Sequence, residues 1–277
     1  HQLGYGPGHW FRAMQFFDMP GIDIVGYQVT PGLDAGRYPW LVGRGPDWDQ
    51  EHFSFALPAM ARGSAWMKHT TEIFSESFGA YGWSEGLRML KWIGDWMIVN
   101  GINVVSPHAV SMKHHDSDCP PHYNATAGNP QAQYYPSWAE PFKRLQRLTV
   151  ESEPLYKAAV LYTGESAWVG EAQNVAPVVR ALETAQVSTL VLPYDADWSS
   201  FGTVVLPYAR WVPDGVLERL ARAPGLVLVV EKWPDGAPPE LKAKARLVTL
   251  PELAAYVAEG SMKPEDAERI LRSDLKQ

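Results

Sequence analysis

The segment richest in chemistry runs Thr71-Glu72-Ile73-Phe74-Ser75-Glu76-Ser77-Phe78-Gly79-Ala80-Tyr81-Gly82-Trp83. Apolar residues lead into Glu76, and a loop of glycines and aromatic residues follows before a helical pattern opens at Ser84. In a (β/α) barrel the C-terminal ends of the strands face the active site, so a carboxyl group placed there can serve as acid, base or nucleophile. The glycine and aromatic neighbours favour that role for Glu76 over a solvated loop carboxylate or a helix cap. Tyr81 and Trp83 offer flat faces with polar tips, which suit a sugar surface.

A second cluster follows the next apolar run. Gly101-Ile102-Asn103-Val104-Val105-Ser106-Pro107 ends in His108, and beyond it come His114, His115, Asp116, Asp118, Cys119 and His122. His and Asp are competent metal ligands, so a metal-dependent hydrolase using His108, His114, His115 and Asp116 is one reading. Their spacing matches no zinc pattern, and the preferred reading is that His108, His114, His115 and Asp116 bind sugar hydroxyls. No metal and no cofactor are expected. Further upstream, Tyr27-Gln28 ends another apolar run, and Gln28 joins the candidate binding residues. Asp34, Arg37, Tyr38 and Trp40 are weaker candidates for shaping a pocket, while Asp18 and Asp23 read as turn-stabilising residues. Asn124-Ala125-Thr126 matches the glycosylation sequon, a pattern common by chance.

The elements that must position these residues alternate. Ile22–Tyr27 reads as a strand between Pro20-Gly21 and Pro31-Gly32, Glu51–Lys68 as a helix with Asp49 as its cap, and Thr71–Phe74 as a second strand. Ser84–Val99 is an amphipathic helix capped by Ser84 and ended before Gly101; Ile102–Ser106 is a third strand, and a helix follows around Pro141–Val150. The second part repeats the pattern in shorter units. Its strands are Ala158–Tyr162, Val187–Leu192, Thr203–Leu206 and Leu226–Val230, with an edge strand at Arg246–Leu250. Its helices are Asn174–Thr184, Asp214–Ala223 and Pro264–Leu275. Strand–helix alternation implies parallel sheets with helices packed outside them. The fold class is therefore α/β, with an open doubly wound sheet in the second part.

Composition bounds the partners. The 277 residues carry 24 Lys and Arg against 31 Asp and Glu, a net charge of −7, with 46% hydrophobic residues. Such a chain buries a core. No Lys/Arg cluster follows a phosphate backbone, so no nucleic-acid partner is expected. The longest apolar runs fall short of the ~20 residues that span a bilayer, so no membrane partner is expected and the protein reads as soluble. The compartment stays open between cytoplasm and bacterial secretion. A single Cys119 excludes an internal disulfide. The chain opens on His1-Gln2, which suggests a removed leader or a start within a longer protein. Composition shifts near residue 150: all eight His and eight of the twelve Trp precede it. The expected domains are 1–150 and 155–260, with 261–277 as a C-terminal helix or tail. The turn Leu161-Tyr162-Thr163-Gly164-Glu165-Ser166-Ala167-Trp168 lacks the spaced glycines of a nucleotide loop, and no Gly-x-Ser-x-Gly elbow occurs there. Structural or assembly work is expected of that domain.

These residues resemble a known group. Asp18-Met19-Pro20-Gly21-Ile22-Asp23, Ser75 to Trp83, Gly101-Ile102-Asn103 through His108, and Ala159-Val160-Leu161-Tyr162 with Glu165-Ser166-Ala167-Trp168 are similar to the C-terminal half of a glycoside hydrolase (β/α)8 barrel with its β-galactosidase trimerisation-like domain. That is the layout of glycoside hydrolase family 42 β-galactosidases, and α-L-rhamnosidase-like enzymes share part of it. The resemblance implies, more finely, a partial (β/α)8 barrel followed by a flavodoxin- or amidotransferase-like doubly wound domain. It also implies that the three strands are barrel strands 6, 7 and 8, that Glu76 stands where retaining enzymes place the nucleophile, and that the substrate is a carbohydrate, most simply a β-galactoside. The family's acid/base Glu follows strand 4, which this chain does not include. A full barrel takes about 250 residues and only ~150 precede the second domain. The chain is then a fragment, a half-barrel completed by another copy or chain, or a shortened enzyme in which Asp34, Glu72, Glu85 or Asp116 supplies the acid. An open half-barrel edge invites pairing, so a homo-oligomer is expected. A non-catalytic sugar-binding scaffold is the rival reading.

Overall fold

The computed structural model describes residues 8–38, 48–113, 116–124 and 128–258. The chain divides into two compact units, His1–Leu155 with Leu190–Asp197, and Tyr156–Thr189 with Trp198–Gln277.

The first unit is built on a parallel sheet of three strands: β1 (Gly21–Ile24), β4 (Phe74–Ser77) and β5 (Val104–Pro107), in the order β1-β4-β5. A short hairpin, β2 (Arg37–Tyr38) with β3 (Trp48–Asp49), follows β1. Before it comes α1 (Trp10–Met14); after it, a π-helical turn over His52–Ala56 leads into α2 (Leu57–Met67). Asp49 caps this turn as expected, its Oδ1 accepting from the His52 N–H at 3.2 Å. Side chains alternate between the two faces of a strand. On one face Ile22 and Ile24 are fully buried, and burial of such side chains contributes roughly 1.5–3 kcal/mol each. Ser75 and Ser77 are buried on the same side, hydrogen-bonded to each other at 2.7 Å, and Ser77 also reaches the Met97 sulfur at 3.2 Å. Met97 belongs to α3 (Leu87–Val99), so α3 covers this face. The opposite face carries Asp23, Glu76 and Ser106.

Several boundaries differ from expectation for local reasons. β4 spans Phe74–Ser77 rather than Thr71–Phe74, because Asn103 occupies the backbone just before it: Ile73 N–H donates to Asn103 Oδ1 at 3.1 Å, and Asn103 Nδ2 donates to the Thr71 carbonyl at 2.8 Å. β1 ends at Ile24, since Gly26 and Tyr27 take left-handed φ of 59° and 65° and turn the chain. α3 opens after Gly86, not at Ser84; its Leu87 N–H is satisfied by Gln131 Oε1 at 3.2 Å, a cap supplied by a distant residue. Gly101, at φ 81°, stops α3 as expected. α4 (Pro136–Val150) starts five residues before Pro141, with Pro136 in its first turn, and buries Trp138 and Phe142.

The larger sheet has five strands, in the order β10-β9-β8-β6-β7. Its strands are β6 (Ala158–Leu161), β7 (Thr189–Leu192), β8 (Thr203–Leu206), β9 (Leu226–Val230) and β10 (Arg246–Val248). The β6–β8, β8–β9 and β9–β10 pairings are parallel. Counted within this sheet, the order is 2-1-3-4-5, that of flavodoxin-like doubly wound sheets. The nearly continuous burial of β6, β7 and β9 suits strands covered on both faces. The helices of the second unit are α5 (Gly164–Val169), α6 (Val175–Thr184), α7 (Val216–Ala221), α8 (Pro239–Lys244) and α9 (Leu250–Ala258). Asn174 caps α6 through Ala176 N–H at 2.9 Å. The residue ahead of α7 is Gly215 in a left-handed conformation, not Asp214. α9 takes over from the expected edge strand at Leu250, where Glu252 Oε2 accepts from Thr249 N–H at 2.8 Å. The Pro264–Leu275 helix expected from sequence lies outside the described residues, as do His114 and His115. No helix among the described residues is long and apolar enough to cross a membrane.

Candidate active site

Parallel strands end together, and so do the residues that follow them. In the first unit the three C-terminal ends are Val25 to Gln28, Phe78 to Trp83, and His108 onward. The Ile24 carbonyl accepts from Phe78 N–H at 2.9 Å, the Gly79 carbonyl from Gly26 N–H at 2.8 Å, and the Ser77 carbonyl from His108 N–H at 2.8 Å. The three loops are thereby tied side by side.

At the level just below them, Asp23 on β1, Glu76 on β4 and Ser106 on β5 are register partners across the sheet. Glu76 thus sits within the strand rather than in the loop beyond it, half-buried, with its carboxyl-bearing side chain on the face opposite α3. Asp23, read from sequence as a turn residue, is instead its neighbour. The Asp23 carboxyl is pushed up to about 6, first by burial and then by the Glu76 charge beside it.

The loop after β4 is bent by left-handed residues, with φ of 73° at Phe78, 61° at Ala80 and 82° at Gly82. Non-glycine residues are held there only by surrounding contacts. Ala80 N–H and Gly82 N–H donate to the carbonyls of Cys119 and Pro120 at 3.3 and 2.9 Å, so the His108 loop supports the bend. His108 packs against Gly79: a Cβ on Gly79 would lie 3.1 Å from the imidazole. The inner His108 nitrogen, Nδ1, is buried without a hydrogen-bond partner among the described residues.

The expected binding residues separate into two kinds. Trp83 is 48% exposed and edges against the buried His122 at 5.9 Å, so it has surface to offer. Tyr81 does not. It is 1% exposed, its hydroxyl donates to the Val29 carbonyl at 2.7 Å, and the Tyr27 ring lies tilted against it with centroids 5.0 Å apart. Its job is to clamp the β4 loop to the β1 loop. Gln28 is likewise buried, with Oε1 accepting from Val25 N–H at 3.0 Å, while its Nε2 has no partner among the described residues. Asp116 spends both oxygens inside its own loop, on Ser111 Oγ at 2.7 Å and Asp118 N–H at 3.1 Å, and the Ser111 bond first of all holds its carboxyl below the usual range.

The other carboxyl groups considered as acids lie elsewhere. Glu72 precedes β4, at the opposite end of the strand, and Asp34 is exposed in the loop after β1. Glu85 is buried, accepts from the Tyr123 hydroxyl at 3.0 Å, and is raised to about 8 by burial. Among the described residues no group of three His, Cys, Asp or Glu could hold a metal ion.

No family profile matches the chain and no curated protein matches it. Solved structures do. A cold-adapted β-galactosidase from Rahnella sp. R3 superimposes with a TM-score of 0.58 at 16% identity, covering 85% of this chain and 37% of the enzyme. The family 42 β-galactosidase Gan42B from G. stearothermophilus gives 0.57 at 13% identity, over 80% of this chain and 34% of that one. α-L-Fucosidase isoenzyme 2 from Paenibacillus thiaminolyticus gives 0.54 at 15% identity, over 87% and 33%. The chain therefore shares a glycosidase-type α/β fold and spans about a third of the length of these structures.

Proposed function

We propose that this chain carries the catalytic carboxylate of a glycoside hydrolase, with Glu76 as nucleophile toward a β-galactoside-like substrate and retention of anomeric configuration. The observation that carries the reading is the place of Glu76: on the face of a parallel β/α sheet opposite its helices, at the C-terminal ends of the strands, below loops that bear Trp83 and His108. Loops at that end of the strands build the sites of (β/α) barrels. The likeness to solved glycosidases supports the fold that this reading needs.

In it, residues 1–150 belong to the C-terminal half of the barrel and 155–260 to a trimerisation-like doubly wound domain. The protein works as a homo-oligomer. Trp83 and His108 line the sugar site, while Tyr81, Gln28 and Asp116 hold the loops in place. A panel of chromogenic aryl glycosides, including β-galactosides, α-L-fucosides and α-L-rhamnosides, tests it. Turnover by the wild type that is lost in Glu76→Gln supports the reading and names the sugar. Equal turnover by both proteins would refute it.

A further inference from the structure

We infer that Asp23 is the proton donor that works with Glu76; the inference rests on the glycosidase reading above. Its basis is register. Asp23 and Glu76 are paired residues on adjacent parallel strands, so their side chains leave the sheet on one face. Neighbouring strands lie about 4.8 Å apart. Retaining glycosidases hold their two carboxyl groups about 5–5.5 Å apart and inverting ones about 6.5–9.5 Å. A register pair falls within reach of the first arrangement.

The electrostatics agree. Burial and then the Glu76 charge raise the Asp23 carboxyl to about 6, so in mildly acid solution Asp23 holds the proton that an acid catalyst must give. From the loop after β5 the Cys119 thiol, which burial and then Asp118 raise, also feels the Glu76 charge. Gln28, folded back on the end of β1, adds a buried amide donor, Nε2, without a partner among the described residues.

The chemistry balances. Asp23 gives its proton to the glycosidic oxygen as the C1–O bond breaks and a Glu76 oxygen bonds to C1; the alcohol leaves. The Asp23 carboxylate then takes a proton from water as the water oxygen bonds to C1 and the ester to Glu76 breaks. Both groups return to their starting states.

The test compares wild type and Asp23→Asn on aryl glycosides with leaving groups of pKa from about 4 to about 10, with and without azide. Asp23→Asn should keep its rate on the most activated substrate within about tenfold and lose about 10²–10⁴-fold on the poorest. Azide should restore turnover and appear in the product as a glycosyl azide, which only a folded site can form. In the wild type, kcat/KM should fall as pH rises through about 6. A loss that is uniform across leaving groups without azide rescue, or a wild-type profile flat through that range, overturns the role of Asp23 while leaving Glu76 standing. Wild type that turns over no glycoside overturns both readings.

Discussion

Asp23 and Glu76 stand as register partners on adjacent parallel strands, one carboxyl raised to about 6 by burial and by the charge of the other. Everything proposed about catalysis depends on this pair and on the loops above it. Four predictions separate the parts each neighbouring residue plays.

Gly79 lets His108 come close. In Gly79→Ala the new Cβ would meet the imidazole at 3.1 Å, tighter than ordinary contact, so His108 has to shift. We expect the variant to fold with a loss of about 1 kcal/mol or less and to bind substrate more weakly. A raised KM with a melting temperature lowered by no more than about 5 °C would bear this out; an unchanged KM would remove His108 from the site.

Tyr81 acts from beneath. Tyr81→Phe removes the hydroxyl that donates to the Val29 carbonyl and accepts from the Val29 N–H. The buried backbone groups left behind cost about 1–3 kcal/mol of stability. Urea denaturation should show that loss. A stable variant with a specific defect in substrate affinity would place Tyr81 on the substrate instead.

Trp83 is the opposite case. Half exposed, it contributes little to the core, so Trp83→Ala should leave stability within about 0.5 kcal/mol. Sugar affinity should fall about tenfold, the effect of roughly 1.4 kcal/mol of lost contact. Isothermal titration against the cleaved sugar distinguishes this from a large loss of stability, which would show that Trp83 is a packing residue.

Glu85 predicts a pH slope. Its folded carboxyl is raised to about 8 against an ordinary 4.5, so the folded protein keeps a proton that the unfolded chain gives up. Stability from this group is fully present below pH 4.5 and declines as pH rises to about 8, by up to about 1.4 kcal/mol per pH unit. Glu85→Gln should flatten the difference between urea midpoints at pH 5 and pH 8. A wild-type protein equally stable at both would contradict the burial of Glu85.

Much of this was legible from sequence, and the exceptions share a cause. Ile22 and Ile24, Leu226 to Val230 and the amphipathic stretch ending at Val99 announce their elements through hydrophobic pattern. β4 escapes that pattern because two of its four residues are serines buried against α3, where small hydroxyls bond to one another and to Met97. Hydropathy therefore sets the strand three residues early and leaves Glu76 in a loop. Asp23 was obscured by Pro20-Gly21, which suggests a turn. The usable signal was alternation: Asp23 lies between two buried isoleucines as Glu76 lies between two buried serines, so both must face the other way. The α3 cap came from Gln131, 44 positions from Leu87, and no local motif encodes such a partner.

The most direct test of the central claim is to trap the nucleophile. Wild-type protein is incubated with an activated 2-deoxy-2-fluoro glycoside of the sugar identified by the substrate panel, digested, and its peptides are sequenced by mass spectrometry. The account predicts one sugar attached to the peptide between His69 and Arg88, with fragment ions placing it on Glu76. A label on another carboxyl group, or none at all in protein that turns over the parent glycoside, would contradict it.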